Sequence, residues 1–82
     1  MVKSRVARVS HYFSKIGVAV LKLEAPLLVG DKILVTNNHV GFQQVVESMQ
    51  LDGKNVDTAQ AGQNIGLRID QKVKSNFVVY KI

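Results

Sequence analysis

Aromatic and basic side chains are concentrated at His11–Lys15, where three rings precede a lysine. Exposed rings beside cations form surfaces on which RNA bases stack while the cations neutralise phosphates. The alternative is that Tyr12 or Phe13 faces the core and that the other residues flank a turn. For Phe13 the pattern favours the core, whereas for His11 and Tyr12 both placements stay open.

Basic residues gather at the two ends of the chain. Residues 1–22 contain five basic and no acidic residues, residues 71–82 contain three basic and no acidic residues, and all six acidic residues lie between them. Because terminal strands of a small barrel are often neighbours, we expect one positive face that attracts phosphates. A dispersed, solubilising surface is the alternative. The predicted RNA-binding residues are Lys3, Arg5, Arg8, His11, Tyr12, Lys15, Lys72, Lys74 and Lys81.

Sequence signatures of catalysis and of metal binding are absent. The chain has no cysteine, and its two histidines, His11 and His39, have no further ligand at metal-binding spacing. Ser10 and Ser14 lie near His11 but not in the strand–turn–helix context of a nucleophile. The phosphate-binding signature G-x-x-x-x-G-K-[ST] is also absent. We therefore predict no enzymatic activity, no cofactor, no metal and no binding of GTP.

Length and composition predict one folded domain over residues 1–82. A hydrophobic content of 46% argues against disorder. No apolar run approaches the roughly 18–20 residues of a membrane helix. The basic N-terminus is not followed by the apolar stretch of a signal peptide. These features predict a cytoplasmic protein without a membrane partner.

Short runs rich in Val and Ile, separated by Gly, Asn and Asp, are typical of a small barrel or sandwich. In the first run Val6 and Val9 lie three residues apart, which interrupts the alternation and predicts a bulge. The second run is apolar on both faces, so it is either central or meets a partner. The predicted strands are Val2–Phe13, Ile16–Leu23, Lys32–Thr36, Gln43–Leu51, Asn64–Asp70 and Phe77–Ile82. We predict an all-β fold, a closed antiparallel β-barrel of about six strands.

Turn residues divide these strands. Gly30-Asp31 and Asp52-Gly53 are strong turn pairs, and Asn37–Gly41 has the composition of a polar hairpin loop. We expect the carboxylate of Asp31 to cap its turn by accepting from the local backbone. Asn55–Gln60 is predicted to form one helical turn or an irregular loop.

Three segments follow one another in the order and spacing of a known family. Leu28–Ile33 carries x-V-G-D-x-[VI], Val46–Gln50 carries V-x-S-[IM]-Q, and Ala59–Leu67 is close to A-x-x-G-D-x-V-G-L, with Gln63 in place of the aspartate. Together they resemble the second domain of translational GTPases such as elongation factor Tu. Val9–Val20 is similar to small stand-alone elongation factor-like proteins, which are single barrels without a GTPase domain.

The resemblance implies a translation-protein domain II-like barrel that is non-catalytic and binds RNA or the ribosome through the basic face. In the larger translational GTPases this domain touches the tRNA acceptor end or ribosomal RNA. The alternative is a protein–protein interaction module or a homodimer with no nucleic-acid role. It rests on the small size of the chain and on the doubly apolar second strand. RNA binding should weaken steeply with salt, whereas an apolar interface should not.

Overall fold

The computed structural model describes residues 4–37 and 39–82, so Lys3 of the predicted site and Asn38 of the predicted hairpin loop lie outside the described residues. The described residues form ten β-strands and no helix, which confirms the predicted all-β class. The strands are β1 (Ser4–Phe13), β2 (Val18–Leu23), β3 (Leu27–Leu28), β4 (Lys32–Thr36), β5 (Gly41–Val45), β6 (Met49–Leu51), β7 (Lys54–Val56), β8 (Thr58–Ala59), β9 (Asn64–Arg68) and β10 (Val78–Lys81).

Eight strands form one antiparallel sheet in the order β5-β4-β10-β1-β2-β9-β6-β7, while β3 and β8 pair separately. The sheet curls so far that Gln44 of edge strand β5 reaches the end of β9. The Gln44 side-chain amide donates to the carbonyl of Arg68 at 2.9 Å, and its oxygen accepts from the N–H of Asp70 at 3.0 Å. Within the described residues, edge strands β5 and β7 do not pair with each other. The predicted closed barrel of six strands is therefore wrong in strand number and in closure.

The core consists mostly of aliphatic side chains, together with Met49 and Phe77. Within the described residues it contains no buried polar or charged side chain. Complete burial of one Val, Leu or Ile side chain stabilises the folded state by about 1.5–3 kcal/mol. The largest fully buried side chains are Leu21, Leu23, Leu27, Ile33, Met49, Ile65 and Leu67.

The bulge predicted in the first strand is present. The pairing of β1 with β10 shifts register between Arg5 and Ala7. Because of this shift, the neighbouring side chains of Val6 and Ala7 are both buried, at 1% and 0% exposure. The interrupted alternation therefore reflects a change of face within one continuous strand, as expected for a strand in a curled sheet.

The predicted strand over Gln43–Leu51 is interrupted in the structure. Val46 turns into the core between β5 and β6. Its N–H donates to the carbonyl of Asp31, and its own carbonyl accepts from the N–H of Gly30, both at 2.8 Å. The helical turn or loop predicted over Asn55–Gln60 is also wrong, because this segment contributes to β7 and forms β8. These short strands account for most of the additional elements.

The predicted turn pairs are confirmed. Asp52 and Gly53 both have positive φ, 53° and 79°, and Leu51 pairs directly with Lys54. Two consecutive residues of this kind form the type I′ turn that suits a two-residue hairpin. At the other turn, the Asp31 carboxylate accepts from the backbone N–H of Leu28 at 2.9 Å, as predicted.

Candidate functional site

The two basic ends of the chain are neighbours in the sheet, as predicted. β1 and β10 pair antiparallel, with Ser4 opposite Lys81. Two of the predicted cations are nevertheless ion-paired. Arg5 Nε lies 3.0 Å from Glu24 Oε1, and Lys81 Nζ lies 3.3 Å from Asp31 Oδ2. The positive charge of this face is therefore lower than the count of basic residues predicts.

A second bulge determines where the aromatic residues point. The register of β1 against β2 shifts between Val9 and His11. The hydroxyl of the bulged Ser10 donates to the carbonyl of Val20 at 3.1 Å. Beyond this bulge, Tyr12 is paired with the fully buried Ala19 and packs against the core. The tyrosine is thus on the inner side of the strand.

His11 and Phe13 consequently lie on the outer face of β1. Their rings meet edge to face, with centroids 4.4 Å apart. Phe13 is 46% exposed, so the predicted core placement of this residue is wrong. The physical reason is the second bulge, which reverses the faces of the strand in its last three residues.

An apolar strip runs along the outer face of β1 and β2. We define the outer apolar strip as Phe13, Ile16, Val18 and Val20. Phe13 is opposite Val18 in the sheet, and Phe13 and Ile16 line a hollow of about 280 Å³. Ile16 is 61% exposed, and the two valines are half-buried. β2 is therefore a central strand and still presents apolar side chains to solvent.

The neighbouring strand leaves the strip open. Gly66 of β9 is opposite Val20, and a Cβ at this position would lie 3.4 Å from Val18 Cγ1. The absence of a side chain at Gly66 thus exposes the flank of both valines. Exposed polar residues of β1, β2 and β9 border the strip, namely His11, Lys22 and Arg68.

A groove of about 490 Å³ lies on the inner side of β1, between its end, the β4–β5 loop and the segment before β10. Its floor includes Val73 and Phe77, which are only 4% and 5% exposed. Its rim carries the exposed residues His39, Lys72 and Lys74. We refer to this feature as the basic groove. It contains predicted site residues Tyr12, Lys72 and Lys74 but not Arg5, Arg8, Lys15 or Lys81.

The β4–β5 rim of the basic groove is held by local hydrogen bonds. Asn37 Oδ1 accepts from the N–H groups of His39 and Val40, both at 2.8 Å. The hydroxyl of Thr36 lies 2.7 Å from the carbonyl of Val40. A Cβ on Gly41 would lie 2.7 Å from this hydroxyl, which is closer than real Cβ contacts. The rim therefore requires glycine at this position.

The opposite rim is tied to the sheet. The N–H of Phe77 donates to the carbonyl of Lys74 at 3.0 Å, which closes a turn. The carbonyl of Phe77 accepts from the N–H of Val9 at 3.0 Å. Lys74 is therefore presented by a turn whose base is hydrogen-bonded to β1.

The remaining predicted cations lie elsewhere. Arg8 is exposed on the outer face of the sheet, directly opposite Lys22. Lys15 is exposed in the turn between β1 and β2, beside the hollow of Phe13 and Ile16. The structure thus divides the predicted site into ion-paired, outer-face and groove residues.

Sequence reasoning missed seven of the ten groove-lining residues that the structure describes, among them His39, Val73 and Phe77. The sequence predicts His39 to lie in a hairpin loop and Phe77 to begin a strand, and neither pattern indicates a groove. They share a groove because β4 pairs with β10, with Thr36 opposite Val78. That pairing joins segments about forty residues apart in the chain, and no local sequence signal encodes it.

Among the described residues, no three His, Cys, Asp or Glu side chains are placed to hold a metal ion. The same residues include no helix of the length and apolarity needed to cross a membrane. The outer apolar strip and the basic groove together offer a ligand apolar contact area, lysine ammonium groups and neutral hydrogen-bonding side chains.

Comparison with known proteins points to proteases. No protein-family model matches the chain. The chain is 33% identical over 79 residues to an uncharacterized protease of Methanocaldococcus jannaschii and 32% identical over 81 residues to a collagenase of Porphyromonas gingivalis. These alignments cover 95% and 96% of this chain but 19% and 22% of the relatives. The chain thus spans about a fifth of the length of the curated relatives it matches.

These relatives overturn the resemblance to translation factors. The predicted function, a translation-factor-like module that binds RNA or the ribosome, is contradicted by matches to proteases. The motifs behind it have structural roles here: Gly30-Asp31 forms the turn before β4, and Ala59–Leu67 runs from the end of β8 into β9. Turns and strands of this kind occur in many small β folds. The RNA contacts predicted for individual residues gain no support from these relatives and stay untested.

A solved structure supplies the fold relationship. The C-terminal domain of a candidate U32 peptidase of Geobacillus thermoleovorans superposes with a TM-score of 0.90, covering 96% of this chain and 92% of that domain. The sequence identity is 18%. At this identity the likeness establishes the fold alone: the chain has the fold of that C-terminal domain.

Proposed function

We propose that the chain is a non-catalytic accessory module of U32-type proteases, which docks on a protease domain through the outer apolar strip. The observation that carries the proposal is the extent of the protease matches. They include nearly all of this chain and only about a fifth of each relative. The larger, unmatched part of each relative then contains the catalytic domain, and the region that matches this chain is an additional domain.

The outer apolar strip supports a protein partner. Phe13 and Ile16 are 46% and 61% exposed and adjacent. Contiguous apolar patches on a protein surface commonly mark interaction sites, because their burial removes apolar area from water. Polar residues at the border of the strip, such as His11 and Arg68, suit the rim of such an interface. The unmatched part of each relative is long enough to contain a protease domain, and this domain is the partner that we assign to the strip.

The non-catalytic part of the proposal is tested with the chain alone. Purified chain is incubated with denatured collagen, and fragments are followed by electrophoresis. We expect no cleavage, because no nucleophile–base arrangement was identified in the sequence. Cleavage that persists after further purification would contradict the proposal.

The accessory role is tested in the collagenase of P. gingivalis. Deleting the matched region should lower hydrolysis of a peptide substrate, and inserting this chain in its place should restore it. A chimaera carrying Phe13→Ser and Ile16→Ser should fall to the level of the deletion. A control chimaera carrying Leu28→Ser and Val45→Ser changes residues that are 41% and 47% exposed and lie outside the strip, so it should retain activity. Full hydrolysis after the deletion would refute an accessory role.

A further inference from the structure

The basic groove differs chemically from the outer apolar strip and needs its own explanation. Its floor is apolar, with Val73 and Phe77 almost fully buried, and its rim carries Lys72, Lys74 and His39. No acidic residue is among the groove-lining residues that the structure describes. The groove therefore combines apolar contact area with positive charge.

We propose that the basic groove binds an acidic segment of a polypeptide in extended conformation. The carboxylates of the segment pair with Lys72 and Lys74, and one of its apolar side chains packs against Val40, which is 59% exposed in the groove. The choice of a polypeptide as ligand rests on the proposed association with proteases, whereas its acidic character rests on the groove alone. This site contains no residue of the outer apolar strip, although Tyr12 and Ser14 line both the basic groove and the hollow beside Phe13 and Ile16.

Charge complementarity supports an acidic ligand. Within the described part of the chain, Lys72 and Lys74 have no ion pair, whereas Arg5 and Lys81 are bound to Glu24 and Asp31. The groove lysines are thus free to pair with ligand carboxylates. A concave surface lined by one sign of charge concentrates field lines and attracts the opposite charge.

The placement of the rings favours a peptide over nucleic acid. Base stacking needs an exposed aromatic face near the phosphate-binding cations. In the groove, however, Tyr12 packs against the core, Phe77 is 5% exposed, and the exposed ring that the structure describes there is the small imidazole of His39. The exposed ring of Phe13 lies on the other face of β1. Ser14 and Asn76, which also line the groove, offer neutral partners for backbone amides of a peptide.

The size of the molecule sets a length for the test peptide. The shortest dimension of the structure is 20 Å. An extended peptide rises about 3.3 Å per residue, so about six residues span that distance. A peptide in which Glu alternates with Leu places successive Glu side chains on one side and Leu side chains on the other. This arrangement matches a groove that has both basic and apolar lining residues.

The test is fluorescence anisotropy with the full chain and a labelled peptide of alternating Glu and Leu. A second peptide with Gln in place of Glu measures the charge contribution. We expect the Glu peptide to bind and the Gln peptide to bind about tenfold more weakly or not at all. The Lys72→Gln, Lys74→Gln double variant should weaken binding of the Glu peptide about tenfold, since one ion pair contributes up to about fivefold.

Matched controls make the result specific. The Lys32→Gln, Lys54→Gln variant removes two exposed lysines outside the groove and should bind the Glu peptide as the unmodified chain does. Equal loss in both double variants, or equal binding of both peptides, would overturn the proposal. Tighter binding of a single-stranded RNA oligonucleotide that displaces the Glu peptide would also overturn it. Variants of the outer apolar strip should leave peptide binding unchanged, so failure here is distinguishable from failure of protease docking.

Discussion

Two regions of this chain present basic residues that behave differently, namely the paired ends of β1 and β10 and the rim of the basic groove. In the first region, Arg5 and Lys81 are each held by a carboxylate. In the second, Lys72 and Lys74 are exposed and, within the described residues, have no ion-pair partner. The comparison teaches that a cation placed beside the acidic middle of the chain has a structural role in an ion pair, whereas a cation placed away from it is available to a ligand.

Backbone pairing explains the difference. The N–H of Glu24 donates to the carbonyl of Val6 at 2.7 Å, which holds the Glu24 carboxylate beside Arg5. Lys81 is opposite Ile33 in the sheet, and Asp31 lies two residues before that position. The acidic segments are therefore folded onto the ends of the chain, whereas none of the described carboxylates pairs with Lys72 or Lys74.

The largest expected effect concerns the support of the groove rim. Gly41→Ala would place a Cβ 2.7 Å from Thr36 Oγ1. This hydroxyl is already hydrogen-bonded to the carbonyl of Val40 in the same hairpin. Relief of such a clash costs about 1–3 kcal/mol of unfolding free energy. Urea denaturation measures this loss, and binding of the Glu peptide should weaken with it. Gly66→Ala on the outer face, with a 3.4 Å contact, is the control and should cost much less.

The next effect tests the paired region. Asp31→Ala removes both the partner of Lys81 and the acceptor for the N–H of Leu28. We expect a loss of about 1–2 kcal/mol, since a turn hydrogen bond and a half-buried ion pair are lost together. Asp31→Asn retains a side-chain acceptor and should recover part of the loss in the same urea experiment. Equal stability of Asp31→Ala and the unmodified chain would show that the pairing is incidental.

A smaller effect is expected at the exposed ion pair. Arg5 and Glu24 side chains are 46% and 39% exposed, so solvent screens their attraction. Arg5→Gln should lower the unfolding free energy by about 0.2–1 kcal/mol at low salt. The difference from the unmodified chain should shrink as salt is added. A difference that persists at high salt would mean that packing, not charge, holds this residue.

The smallest effect on stability is expected at the groove lysines. The Lys72→Gln, Lys74→Gln variant removes no ion pair that the described residues make, and exposed substitutions of this kind change stability by about 0.5 kcal/mol or less. Thermal or urea unfolding should therefore coincide with that of the unmodified chain. A loss as large as that of Asp31→Ala would place these lysines among the structural cations and remove the distinction between the two regions.

Local signals in the sequence were sufficient for much of the fold. Alternation and turn chemistry predicted the all-β class, the strand Lys32–Thr36 and the turn at Asp52-Gly53, because each depends on adjacent residues. The second bulge in β1, which turns Phe13 outward, left no comparable signal. The pairing of β4 with β10 depends on residues far apart in the chain, so the groove that it forms could not be predicted. The resemblance to translation factors was wrong because the same turn and strand motifs occur in proteins of unrelated function.

The docking of this chain on a protease is tested most directly by calorimetric titration. The titrant is the purified chain, and the partner is the M. jannaschii protease from which the matched region has been deleted. We predict saturable binding that Phe13→Ser with Ile16→Ser weakens about tenfold or more, because burial of one such side chain contributes about 1.5–3 kcal/mol. Leu28→Ser with Val45→Ser should leave the affinity unchanged. No binding, or equal weakening by both pairs of substitutions, would contradict the account.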